Sequence, residues 1–144
     1  MQVEIVNSHR KYAIDVEEVR RVVKRVFRHE QAKLKFISIV AVGHDLMRKL
    51  NRQFLHRDET TDVLAFPLGD ESAVDGEVYI NLDQAHRQAR SYNVTPSNES
   101  TRLIIHGVLH LIGYRDTSDT ERRRMKKREE ALMQMLGRGK VLRS

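Results

Sequence analysis

Apolar and polar positions change period several times along the chain, and each change marks an element. Val3 and Ile5 alternate with polar neighbours, as in a first strand. Asp15 and Glu18 form a capping-box start, and Val16, Val19, Val22, Val23, Val26 and Phe27 make the apolar stripe of a first helix. Lys33 to Val42 is apolar almost throughout from Phe36 on, which predicts a central strand covered on both faces and ended by Gly43. Leu46, Met47, Leu50 and Phe54 mark a short second helix with His44 and Asp45 at its start. A third strand runs from Thr61 to Pro67 and a fourth from Gly76 to Ile80, with an acidic, turn-rich and mobile loop from Leu68 to Asp75 between them. Leu82, Ala85 and Ala89 give one face to a third helix that runs through Arg90. Thr95 and Pro96 suit the N-cap and first position of a fourth helix. Ser118 and Glu121 open a last helix whose Met125, Leu132, Met133 and Leu136 point inward, and a basic tail from Gly137 to Ser144 is expected to fray.

No internal repeat or low-complexity linker divides this pattern. It predicts one α+β domain over residues 1–144, with a mixed sheet of roughly four strands, about five helices, and the fourth helix enclosed by the others. The order of the strands does not follow from the pattern. Hydrophobic residues at 40% and charged residues at 32% fit a folded core. No apolar run approaches the roughly 20 residues that span a bilayer, so no membrane partner is expected. The opening MQVEIVNSHRK reads as a strand and not as a secretion signal, and the chain has no cysteine, which together predict a cytoplasmic location.

A net charge of +6 makes an anionic partner plausible, and Arg122 to Arg128 gathers six basic residues. Composition alone does not separate RNA from an acidic protein or a membrane surface as that partner. Arg122, Arg123 and Lys126 are the candidates for binding it, RNA-binding if the partner is RNA, weighed against the plainer reading of a solvated helix face. Aromatics are only 6% of the chain, and Phe27, Phe36 and Phe66 are assigned to the core, so an RNA partner, if that is the anion, would be recognised by shape and backbone over base-by-base stacking.

The strongest chemical signal is His106-Gly-Val-Leu-His110-Leu-Ile-Gly113-Tyr-Arg-Asp116. On a helix, His106 and His110 stand one turn apart on one face, where both imidazoles reach one metal ion. Gly113 lets the chain leave the helix through a left-handed residue, and Asp116 follows with a carboxylate. Two nitrogens and one oxygen with room for water match a catalytic zinc, whereas structural zinc usually has four protein ligands. Two helix histidines alone would more often be ordinary; the glycine and the carboxylate shift the balance. His44, His56 and His86 have no partner at ligand spacing and are read as surface, capping or polar-face residues. A metalloprotease of the H-E-x-x-H type is the nearest competing enzyme, but Gly107 stands where its general base would be.

The segment HGVLHLIGYRD, with TTDVLAFPLGD and GEVYINL before it, resembles the YbeY family of bacterial ribosomal-RNA maturation factors, regarded as metal-dependent endoribonucleases. The resemblance covers most of the chain in order. It implies a zinc-dependent single-strand endoribonuclease acting in 16S rRNA 3'-end maturation and ribosome quality control, with one zinc per chain and no small-molecule cofactor. Ribosomal RNA and the small ribosomal subunit are the implied partners. Two positions depart from the family pattern. Asp116 stands where the family has a third histidine, which lowers the net charge of the site and weakens the metal as a Lewis acid. Leu55 stands where the family has an arginine facing the metal cleft. Arg57, two residues on, is the nearest cation and the catalytic candidate for its charge-stabilising role, weighed against the commoner outcome of a solvent-exposed arginine. Asp62, Glu99 or a second water are the candidates for a general base. These departures also strengthen an alternative without catalysis, in which a structural metal site sits in a factor that binds ribosomal RNA or the ribosome.

Overall fold

The alternation at Val3 and Ile5 becomes strand β1 (Gln2–Asn7) in the computed structural model, which describes residues 2–69, 72–137 and 139–143. The Asp15 side chain accepts the Glu18 backbone N–H at 3.1 Å and starts helix α1 (Val16–Glu30), which ends at Gln31 in a left-handed conformation. Strand β2 (Leu34–Val42), helix α2 (His44–Leu55), strand β3 (Val63–Pro67) and strand β4 (Val74–Asn81) follow. Asn81 then caps helix α3 (Leu82–Tyr92) through the Gln84 N–H. Helix α4 (Pro96–Ile112) starts at Thr95, whose hydroxyl accepts the Asn98 N–H, and helix α5 (Asp119–Leu136) starts at Ser118, which caps Glu121.

The strands form one mixed sheet in the order β1-β2-β4-β3. β1, β2 and β4 are parallel, and β3 closes the edge antiparallel to β4. The register puts Val3 beside Ile37, Ile39 beside Val78, and Val63 beside Ile80, so their side chains share one face. Against that face pack Val19, Val22, Val23 and Val26 of α1 and Leu103 to Leu109 of α4, in one continuous core. α4 runs over β3 and β4, with α5 on its outer side. A Cβ on Gly107 would lie 2.4 Å from Val78 Cγ1, so any larger residue here would have to displace Val78 or lift the helix. The glycine therefore lets α4 seat closely on the sheet, with both histidines at the rim of the core.

Three expectations are corrected. The face of β2 that carries Ile37, Ile39 and Ala41 is closed, whereas the other face is covered only in part: Ser38 and Val42 are buried there, but Phe36 and Val40 are half-buried, as is Phe66 on β3. α2 lies on that side, where Phe54 meets Phe66 with ring centroids 5.4 Å apart, and it is too short to cover the sheet. The tail does not fray over its described part. Val141 is 1% exposed, its carbonyl accepts the Asp15 N–H, and Ile14 and Leu142 form a β-bridge, because Val141 and Leu142 are an apolar pair with a pocket to fill. The loop before β4 is shorter than expected, since Val74 already donates to the Lys33 carbonyl at 2.7 Å and pairs with Leu34. Asp70 and Glu71 of that loop lie outside the described residues.

Candidate metal centre

One helical turn separates His106 from His110 on α4, and their Nε2 atoms face each other at 3.2 Å. His110 Nε2 is 3.4 Å from Asp116 Oδ2, and the three ligand atoms all lie within 4.8 Å of one another. Tetrahedral zinc with bonds of about 2.0–2.1 Å holds neighbouring ligand atoms roughly 3.3 Å apart. Two of the three separations already have that value.

The hydrogen bonds behind the rings set their tautomers. His106 Nδ1 donates to Glu129 Oε2 at 2.7 Å, and His110 Nδ1 donates to the Tyr114 carbonyl at 3.1 Å. Both Nε2 atoms are then lone pairs aimed at each other beside a carboxylate, an arrangement that a cation resolves. Burial, then the neighbouring His106, pushes the His110 pKa below its ordinary value, which keeps that imidazole neutral and able to ligate. Asp116 is half-exposed, and both imidazoles keep about a quarter of their surface, so the centre opens to solvent on one side.

Gly113 makes the turn. Its φ of +128° is outside the range of other residues, and its N–H returns to the Leu109 and His110 carbonyls. Arg122 Nη1 donates to the Asp116 carbonyl at 3.0 Å, and its other nitrogen pairs with Asp119, which fixes the turn to the first turns of α5.

Sequence reasoning missed the support beneath His106. Glu129 is 4% exposed and takes Arg102 Nη1 at 2.8 Å as well as His106. Arg102 also pairs with Glu99, which is 1% exposed and accepts from Gln88 at 2.6 Å. Burial alone would raise the Glu129 pKa, but the His106 and Arg102 hydrogen bonds outweigh it and leave it lowered. Hydrogen bonding to Glu99 foremost raises that of Arg102. Two carboxylates against one guanidinium leave negative charge behind His106, which favours a cation on its far side. The available signal was Glu129 lying on the inward stripe of α5, four residues after Met125 and three before Leu132. Glu99 is too enclosed and too committed to Arg102 to serve as a general base.

The other predicted residues separate. Arg122 and Lys126 line a cavity of about 290 Å³ together with His106, Asp116 and Glu129. Arg123 is exposed and outside that lining. Arg57 is exposed on the segment between α2 and β3, and the structure does not place it in that cavity. His56 is the left-handed C-cap of α2, as expected of a capping residue. His44 and His86 are more engaged than surface residues: His44 Nδ1 meets Asn81 and Thr60, and His86 stacks on Tyr12 at 3.7 Å. A larger hollow of about 640 Å³, between Tyr12, His86 and the tail residues Lys140 and Arg143, is lined by none of the three candidate ligands.

Comparison with known proteins points the same way as the geometry. Residues 4–137 match the family described as Endoribonuclease YbeY. The Endoribonuclease YbeY of Chlorobium phaeovibrioides is 35% identical over 96% of this chain and 93% of its own length. That of Chlorobium luteolum is 38% identical over 96% of this chain and all of its own. The solution structure of TM1509 from Thermotoga maritima superposes with a TM-score of 0.62 at 26% identity, covering 93% of this chain and 91% of that one. A match over nearly the whole chain, with relatives 35% and 38% identical across it, makes this chain a member of the endoribonuclease YbeY family.

Proposed function

We propose that this chain is a zinc-dependent endoribonuclease that cuts single-stranded RNA. Its cellular substrate is ribosomal RNA on the small subunit, in 16S rRNA 3'-end maturation and ribosome quality control in the cytoplasm. The observation that carries the reading is the pair of Nε2 atoms 3.2 Å apart with the Asp116 carboxylate beside them. The family membership, the net charge of +6 and the cations bordering the site support RNA as the substrate. No described helix is long and apolar enough to cross a membrane.

His106, His110 and Asp116 would hold the ion. A bound zinc supplies a water acidified from a pKa of about 16 toward roughly 7 and polarisation of a phosphoryl oxygen. Glu129 keeps His106 in the Nδ1–H tautomer, and the Tyr114 carbonyl does the same for His110. Lys126 has no ion-pair partner among the described residues and borders the same cavity as His106, which supports a role for it in meeting a substrate phosphate. Arg122 is already engaged with Asp116 and Asp119, and its contribution to RNA binding comes second to holding the turn. Arg123 extends the basic surface along α5. Arg57 is the cation nearest in sequence to the family's arginine and would have to swing toward the cleft to act. Asp62 is the general-base candidate that burial does not remove.

A protease reading has less support, because Gly107 stands where the H-E-x-x-H motif has its glutamate base and packs against Val78. The reading without catalysis is tested by His110→Ala. Loss of cleavage of a single-stranded RNA, with circular dichroism and ribosome association unchanged, supports the enzyme. A folded, metal-loaded wild type that associates with ribosomes and cuts no RNA supports docking alone.

A further inference from the structure

The basic run of α5 divides when the helix forms. Arg122 and Lys126 border the metal-side cavity, while Arg124, Lys127 and Arg128 border the opposite flank beside Tyr114. Two adjoining hollows of about 410 and 260 Å³ lie on that flank and share Tyr114 and Arg124. Arg115 lines the larger one.

The charges there do not cancel. Glu30 is 6% exposed at its side chain and is taken up by the Tyr114 hydroxyl at 2.6 Å and by Arg128. Glu121 accepts from the Thr117 backbone N–H and hydroxyl, and reaches Arg115 only at 3.9 Å. Arg124 and Lys127 are exposed and have no ion-pair partner among the described residues. Surplus positive charge in a concavity concentrates anions, and a phosphodiester chain presents them in series. The hollows also adjoin the metal centre. Tyr114 lines both of them, and its own carbonyl orients His110.

We infer that this groove is a second RNA subsite, which binds the backbone of the substrate strand on one side of the scissile bond. Arg124 and Lys127 contact its phosphates, Arg115 stands at its mouth, and Tyr114 forms its wall. The strand thus crosses the turn from Gly113 to Thr117, between the metal-side cavity and the groove. This inference rests on the endoribonuclease reading.

The test is the affinity of a short fluorescent single-stranded RNA for wild type, Arg124→Gln/Lys127→Gln and the control Lys24→Gln, across a salt series. Metal content and cleavage kinetics are measured on the same samples. The double variant is expected to bind at least about 10-fold more weakly. The slope of log K against log salt falls by about 1.4, since each phosphate contact on a single strand contributes about 0.7. KM rises with kcat retained, metal content is unchanged, and Lys24→Gln behaves as wild type. Unchanged affinity and slope in a double variant, beside a wild type that cuts RNA, overturn the subsite and leave the enzyme reading standing. A fall in RNA binding together with metal content also overturns it, because the cations would then act through the Tyr114 turn. A wild type that neither binds nor cuts RNA overturns both.

Discussion

Replacing Glu129 by glutamine removes one charge and no volume. The carboxylate now accepts two charge-assisted hydrogen bonds, from His106 Nδ1 at 2.7 Å and Arg102 Nη1 at 2.8 Å, in a site 4% exposed to solvent. An amide has one oxygen and one NH2, so it cannot accept both. If the oxygen turns to Arg102, the NH2 faces His106 and drives its proton to Nε2, where it blocks the lone pair that would bind the ion. If the oxygen turns to His106, two donors face each other at Arg102. Hydrogen bonds to charged groups contribute about 1.5–3 kcal/mol, and Glu99 still neutralises Arg102, so the apoprotein should lose about 2 kcal/mol of stability. Loss of an outer partner of a ligand typically costs 10–100-fold in metal affinity, about 1.4–2.8 kcal/mol. Chelator competition followed by cobalt absorption measures the second quantity, and urea unfolding of the apoprotein measures the first. A Glu129→Gln variant with wild-type metal affinity would refute the claim that this carboxylate sets the tautomer of His106.

Gly107→Ala should lower stability by about 1–3 kcal/mol in urea unfolding, because its Cβ would meet Val78 Cγ1 at 2.4 Å; a neutral result means that α4 can lift from the sheet at little cost. Val141→Ser should cost about 1.5–3 kcal/mol and lower Tm, since Val141 is 1% exposed, whereas a frayed tail predicts no change. Burial would raise the Asp83 pKa, but hydrogen bonds from His9 and the His44 N–H outweigh it and leave it lowered. The carboxylate therefore contributes its stability fully above the ordinary aspartate pKa of about 3.9 and loses it as pH falls through the lower folded value. Wild type and Asp83→Asn should differ at neutral pH and converge in acid, and a constant gap in their urea midpoints contradicts this. Arg122→Ala should weaken metal binding through the freed Asp116 turn; weaker RNA binding with metal affinity intact would reverse that assignment.

The clustering of His106, His110 and Asp116 was legible in sequence because a single local rule governs it. Four-residue spacing puts His106 and His110 on one face, and Gly113 turns the chain, so Asp116 returns to them without reference to the rest of the fold. The strand order was not legible, because β2 and β4 become neighbours only through the connections that cross the sheet. Glu129 was hidden for a related reason. A glutamate on an apolar stripe reads as an exception until the histidine and arginine of another helix are seen to meet it. The run from Arg122 to Arg128 looked like one basic surface, but the helical period sends its members to opposite flanks of α5. The tail was misjudged from its charge, when the two apolar residues within it decide where it goes.

The central claim is that His106, His110 and Asp116 hold one catalytic ion. Its most direct test is metal stoichiometry and affinity in wild type, His106→Ala and Asp116→Ala, with cleavage of a single-stranded RNA on the same samples. One zinc per wild-type chain is expected, weakened or lost in both variants in step with cleavage. Zinc held as tightly by Asp116→Ala as by wild type, or cleavage that survives when the metal is gone, would contradict it.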